Sequence, residues 1–198
     1  MDAIATTVIA RAGENEDEDR RLVSPARADP AAFAAIYDRY ADRIFGYCLN
    51  RLGDWHDAED VTSAIFMSAL TALPRYRDGS FRSWLFTIAH HAVANHHRAR
   101  RPSAPLDAAS MATATPGESP EVVALVQEER RWLIRALANL PPDQRRVIEL
   151  RLAGLTGPEI ATVLSRSHGA VKMLQLRAFD HLRQMLHSGA EERSDEWP

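Results

Sequence analysis

Apolar residues recur along this chain at spacings of three and four, the period of a helix buried on one side. Phe33, Ile36, Tyr37, Tyr40, Ile44, Phe45, Cys48 and Leu52 trace one such face. Asp29-Pro30 reads as an N-cap with proline at the first helical position, and Gly53 ends the helix. A second helix is predicted from about Trp55 to Leu73, with Val61, Ile65, Phe66, Ala69 and Leu70 on its apolar side and Pro74 as its stop. Arg75–Ser80 is a charged loop containing the turn signal Asp78-Gly79. A third helix follows from about Phe81 to Arg100, with Trp84, Leu85, Ile88, Ala92 and Val93 inward.

Pro102–Pro120 is rich in Pro, Ala, Ser and Thr and predicts a flexible linker. Beyond it, one helix is expected over roughly Glu121–Ala138. Pro141-Pro142 opens another, carrying Val147, Ile148, Leu150 and Leu152, and Gly154 closes it. Leu155–Arg183 then predicts a helix-turn-helix. Thr156 with Glu159 three residues on forms a capping box, and Ile160, Ala161, Val163 and Leu164 give the short helix its apolar face. Ser165-Arg166-Ser167 is a polar turn, with Ser167 as the next N-cap. Val171, Leu174, Ala178, Leu182 and Met185 line one side of the long second helix, while Lys172, Met173, Leu176 and Arg177 point elsewhere. A helix buried on one side with protruding groups on the other suits a DNA major groove. An ordinary helical hairpin shares the same pattern.

No strand pattern or internal repeat is evident. The expected fold is all-α: two small helical domains, 29–101 and 121–187, joined by the linker at 102–120. Residues 1–28 are expected to be a disordered acidic tail, and 188–198 a disordered C-terminal tail.

The formal net charge of -3 over 198 residues is not that of a general nucleic-acid coat, so the distribution of charge matters more. Glu14, Glu16, Asp17, Glu18 and Asp19 make an acidic run. Arg75, Arg77, Arg82, Arg98, Arg100 and Arg101 stand against only Asp78. Lys172 is the only lysine; arginine-rich positive charge suits bidentate phosphate and guanine contacts, although a GC-rich genome gives the same bias. Cys48 is the single cysteine, which excludes an intrachain disulfide and a four-cysteine zinc site. Met1–Arg21 lacks a continuous apolar core, and no apolar run approaches the roughly 20 residues of a membrane span. A soluble, cytoplasmic protein without membrane insertion is expected.

Three segments carry chemistry. Asp57-Ala58-Glu59-Asp60-Val61 crowds carboxylates onto a helix start, either as favourable partners of the helix dipole or as a docking face for a basic partner. The loop and third helix combine Arg75, Tyr76, Phe81, Arg82, Trp84 and Phe86 with His96, His97, Arg98, Arg100 and Arg101. Arginines contact phosphates, and aromatic rings stack on unpaired bases. His90, His91, His96 and His97 invite a metal reading, but His91 and His96 diverge by roughly 140° around a helix. No H-E-x-x-H, P-loop, dinucleotide fingerprint or nucleophile elbow is present, so neither a cofactor nor an enzyme activity is expected.

In combination, these segments resemble an extracytoplasmic-function sigma factor of the sigma-70 family, over about Pro30–His187. DPAAFAAIYDRYADRIFGYCLNRLGDWHDAEDVTSAIFMSAL followed by FRSWLFTIAHHAVANHHRARR resembles region 2. LIRALANLPPDQRRVIELRLAGLTGPEIATVLSRSHGAVKMLQLRAF resembles region 4. The resemblance implies that Asp57, Glu59, Asp60 and Val61 dock on the β′ clamp helices of RNA polymerase, with the second domain toward the β flap. It implies −10 promoter contacts by Arg75, Arg77, Ser80, Arg82, His97, Arg98, Arg100 and Arg101, including capture of an unstacked base. It implies −35 contacts by Ser165, Ser167, Lys172, Met173, Leu176 and Arg177. An anti-sigma factor is an expected partner besides core polymerase and promoter DNA.

The sequence departs from the family's pattern in two places. His90, His91 and Asn95 stand where Arg-Asn and then Asp are common, and Met173-Leu174 stands where the recognition helix commonly carries Ser-Arg. An apolar Leu174 is expected to be buried rather than DNA-facing. Two other readings compete. Leu155–Leu182 also resembles the terminal domain of LuxR-type activators, which would make this a stand-alone regulator, and the histidines allow a metalloenzyme.

Overall fold

The computed structural model describes residues 16–77, 79–99 and 134–194. They are predominantly helical, with no strand among the described residues. The helices are α1 (16–26), α2 (Phe33–Leu52), α3 (Trp55–Ala72), α4 (Phe81–Ala99), α5 (134–138), α6 (Pro142–Leu152), α7 (Gly157–Val163) and α8 (His168–Ser194).

Local chemistry sets most boundaries. The Asp29 carboxylate accepts from the Ala31 amide at 2.9 Å and opens a 3-10 turn at Pro30–Ala32 that leads into α2. Gly53 closes α2 in the left-handed region at φ 74, where a side chain would be strained. Asp54 caps α3 through the Asp57 amide at 2.9 Å. Ser80 Oγ accepts from the Ser83 amide at the start of α4.

α2, α3 and α4 pack around Ile36, Tyr40, Ile44, Ile65, Leu85 and Phe86, all buried. Aromatic edges tie the helices together: Tyr40 meets Phe81 at 5.7 Å, Tyr47 meets Phe86 at 5.7 Å, and Phe45 meets Trp55 at 4.6 Å. Such pairs add roughly 0.5–1.5 kcal/mol each beyond the area they bury. Cys48 lies in this core, and burial pushes its thiol up to about 11.

Within the tail expected at 1–28, residues 16–26 form α1 instead, while 1–15 lie outside the described residues. Val23 and Ala26 are buried, and Asp19, 3% exposed, accepts from Arg39 Nε at 2.9 Å. Apolar contact and a shielded ion pair together hold this acidic stretch as a helix. The C-terminal boundary at 188 is corrected as well, since α8 continues to Ser194. Ala190, Glu191, Glu192 and Arg193 are strong helix formers. The linker 102–120 and most of the helix expected at 121–138 lie outside the described residues.

In the second unit Leu137, Leu140, Ile148 and Ala178 form one apolar cluster, with Leu182 and Met185 against it. Leu152 does not join the core; it is 53% exposed, because it lies two residues past buried Leu150 and so is turned roughly 200° from it.

The two units are not merely tethered. α4 packs on α7 and α2 on α6, and one apolar cluster runs from Ile36 and Phe86 through to Leu150, Leu155 and Ile160. No helix among the described residues is long and apolar enough to cross a membrane.

Candidate polymerase and promoter interfaces

At the start of α3, Glu59 and Asp60 are exposed and point away from the core. Asp57 is half-buried, and His96 from the last turn of α4 reaches its Oδ2 with Nε2 at 3.4 Å. Val61 does not belong to this outward face. It is 6% exposed and packs in the core, where it anchors the acidic turn instead of presenting to a partner. The sequence placed these residues on one short segment; helical geometry divides them between surface and core.

The loop before α4 is held by its aromatic residues. Tyr76 Oη donates to the Gly79 carbonyl at 2.7 Å, and the Tyr76 ring lies 5.6 Å from Phe81 and 5.1 Å from Trp84. Gly79 takes φ 147, a value a side chain rarely adopts. Arg75 and Arg77 are exposed on this loop, and His97 and Arg98 are exposed at the far end of α4, where Arg98 donates to Asn95. Arg100 and Arg101 lie outside the described residues.

Ser80 and Arg82, expected to face DNA, turn toward the second unit. Ser80 Oγ donates to Glu159 Oε1 at 2.9 Å, and Arg82 Nε stands 3.7 Å from the same oxygen. Arg82 Nη1 also donates to the Gly154 carbonyl at 3.0 Å, leaving the residue 4% exposed. Glu159 completes the capping box as well, accepting from the Thr156 amide at 2.7 Å through Oε2. One carboxylate therefore caps α7 and occupies the first unit's Ser80 and Arg82.

A second polar junction lies between α2 and α6. Glu149 accepts from Arg51 at 2.9 Å and from Arg145 at 2.7 Å, and Arg145 also donates to the Asn50 carbonyl at 3.1 Å. Nearby, Tyr47 Oη lies 3.2 Å from His90 Nδ1. Burial, then the charges of Arg51 and Arg146, lower His90 to about 4 and keep it neutral. His90 thus serves this junction while His96 serves Asp57. No group of three or more metal-ligating side chains occurs among the described residues.

The helix-turn-helix is formed as its caps predict. Ser165 takes φ 51 in the turn, and Ser167 Oγ accepts from the Ala170 amide at 3.2 Å at the start of α8. Both serines are exposed. Val171 and Ala178 are fully buried, and Leu174 packs half-buried beside them. Lys172, Met173, Leu176 and Arg177 are exposed. Two features had no sequence signal. Arg166 in the turn pairs with Asp143 of α6 at 3.1 Å, and a groove of about 740 Å³ opens between the start of α4 and α7–α8. Ser83, His168, Lys172 and Phe179 are among its walls.

One unit carries a helix-turn-helix whose second helix leaves Lys172, Met173, Leu176 and Arg177 exposed, and the other exposes Arg75, Arg77 and Arg98, an arrangement that fits the class of DNA-binding proteins. Residues 36–102 match Sigma-70 region 2, and residues 130–182 match Sigma-70, region 4. The sigma factor BldN of Streptomyces coelicolor is 36% identical over 174 residues, which span 85% of this chain and 66% of that protein. The sigma factor ShbA of Streptomyces griseus is 40% identical over 151 residues, spanning 70% of this chain and 79% of its own length. Among solved structures, CnrH in complex with the cytosolic domain of CnrY is 25% identical with a TM-score of 0.68, covering 86% of this chain and 97% of that one. The chain belongs to the extracytoplasmic-function sigma factors. It directs bacterial RNA polymerase to promoters through its region 2 and region 4 units, and the stand-alone LuxR-type reading is not favoured. Sigma factors as a family are not enzymes.

Proposed function

We propose that Glu59 and Asp60 form the outer contact with the β′ clamp helices of core polymerase, with Asp57 beside them and Val61 as their buried support. The observation that carries this assignment is the exposure of both carboxylates on the first turns of a helix whose remaining face is fixed in the core. The second unit turns toward the β flap. Arg75, Arg77, His97 and Arg98 contact −10 DNA, joined by Arg100 and Arg101. Ser165 and Ser167 hold phosphates at the −35 element, and Lys172, Met173, Leu176 and Arg177 face its base edges.

Ser80 and Arg82 reach the −10 strand only after the units separate, because Glu159 occupies both in the closed chain. Its carboxylate stands where a promoter phosphate would accept the same hydrogen bonds. Separation rehydrates the charges of Arg82, Glu159, Arg51 and Glu149, which offsets much of what their pairing contributes. The apolar cluster shared by the units, with Leu150, Leu155 and Ile160 buried in it, is the larger cost of opening, and binding to polymerase must offset it. The chain works in the cytoplasm, where the polymerase is, and has no catalytic step of its own. An anti-sigma factor is the expected regulatory partner, in line with the complex of the similar protein CnrH with the cytosolic domain of CnrY.

The test is transcription in vitro with sigma-free core polymerase on a pool of genomic promoters. Discrete start sites sharing two spaced upstream elements are expected, and Glu59→Arg/Asp60→Arg should abolish them while leaving duplex DNA binding intact. Full activity of that double variant would sink the docking assignment.

A further inference from the structure

Lys172, Met173, Leu176 and Arg177 share the exposed side of α8, but they are chemically unlike one another. Met173 and Leu176 are each 49% exposed. They lie opposite the buried Val171 and Ala178 and outside the hydrophobic core, although Leu176, with Lys172, also lines the rim of the groove between α4 and α7–α8. Three residues apart, they are separated by roughly 4.5 Å along the helix axis and about 60° around it, and so form one ridge. Lys172 and Arg177 flank this ridge. Gly169, one turn earlier, has open space where a Cβ would stand, which lets the backbone of the first turn come close to a neighbouring surface.

An apolar ridge cannot read a base by hydrogen bonds. Of the groups that the major groove presents, only the C5-methyl of thymine is apolar. We propose that Met173 and Leu176 are specificity-determining residues that contact the C5-methyl groups of two adjacent thymines in the −35 element, while Lys172 and Arg177 hold the flanking phosphates or guanines. The inference rests on the reading of α8 as the −35 helix. The roughly 4.5 Å between them along the helix is of the same order as the rise of about 3.4 Å between successive bases, so their two flexible side chains can reach neighbouring base pairs. Cytosine at either position leaves a methyl-sized gap against the ridge, so thymine is selected over cytosine without a hydrogen bond.

The experiment uses the full chain bound to core polymerase, on a promoter where it initiates, with the −35 region randomised. Selection should enrich two adjacent thymines at a fixed distance from the −10 element. Templates are then resynthesised with deoxyuridine, which lacks the methyl, in place of each selected thymine. Each replacement should lower initiation about fourfold, the factor corresponding to about 0.8 kcal/mol for burying a methylene-sized group. Met173→Ala/Leu176→Ala should initiate equally on thymine and deoxyuridine templates, and Met173→Leu should keep the discrimination. A selected −35 element without adjacent thymines, or wild-type initiation indifferent to the methyl, overturns the inference and leaves the assignment of α8 standing. Initiation without selection of any −35 sequence overturns that assignment, and the inference with it.

Discussion

Arg51 of α2 and Glu149 of α6, 98 residues apart in sequence, meet at 2.9 Å across the junction of the two units. The Glu149 side chain is fully buried there, and Arg145 holds its second oxygen. A carboxylate so shielded is stabilised only while its arginines remain.

Glu149→Ala should therefore loosen the closed arrangement. Removing one member of a buried pair costs about 3–5 kcal/mol, because the remaining charges stay desolvated. A lower denaturation midpoint in urea and a larger radius of gyration by X-ray scattering are expected. An unchanged radius would show that the junction does not hold the units together.

Glu159→Gln separates two roles of one side chain. The amide oxygen can still accept from the Thr156 amide, so the cap on α7 survives, whereas the charge facing Arg82 is lost. The free protein should bind a single-stranded −10 oligonucleotide several-fold more tightly than wild type, with little change in helicity. Equal affinity would mean that Glu159 does not compete with promoter DNA. Arg82→Ala in the same background should remove the gain.

The closed chain should also weaken in acid through His90. Its value in the folded state, about 4, lies below the ordinary 6.5. A group with a depressed folded value contributes stability above its unfolded value, and that stability is lost as pH falls from about 6.5 toward 4. Burial disfavours its protonation first, and the charges of Arg51 and Arg146 add to this. Thermal midpoints measured between pH 7 and 4.5 should fall less steeply for His90→Asn than for wild type. Parallel curves would remove His90 as the cause.

Arg177→Ala tests the other end of the molecule. Arg177 is exposed on α8, so its loss should leave the fold intact. If it reads a base edge, initiation should fall by about 1–3 kcal/mol only where the −35 element carries the preferred base. A loss equal on all promoters, with a shallower salt dependence, would make it a phosphate contact.

The sequence by itself determined most of the helices and several of their ends. Gly53, Asp54 and the Thr156–Glu159 box act within four residues of their own position, and helical period is a property of near neighbours. The same locality made the recognition helix legible, with Leu174 on its buried side and Met173 on its exposed side. α1 escaped notice because its acidic run looks solvated until Arg39 of another helix pairs with Glu18 and Asp19. Val61 enters the docking set through the family resemblance, although the helical period already places it on the apolar side, where it is buried. Only the tertiary structure decided that Ser80 and Arg82 are occupied, that Asp57 meets His96, and that Arg51 meets Glu149. These partners stand 79 (Ser80–Glu159), 39 (Asp57–His96) and 98 (Arg51–Glu149) residues apart. No local propensity encodes such pairs; they form because packing α4 on α7 and α2 on α6 strips water from charges that can then be satisfied only by each other.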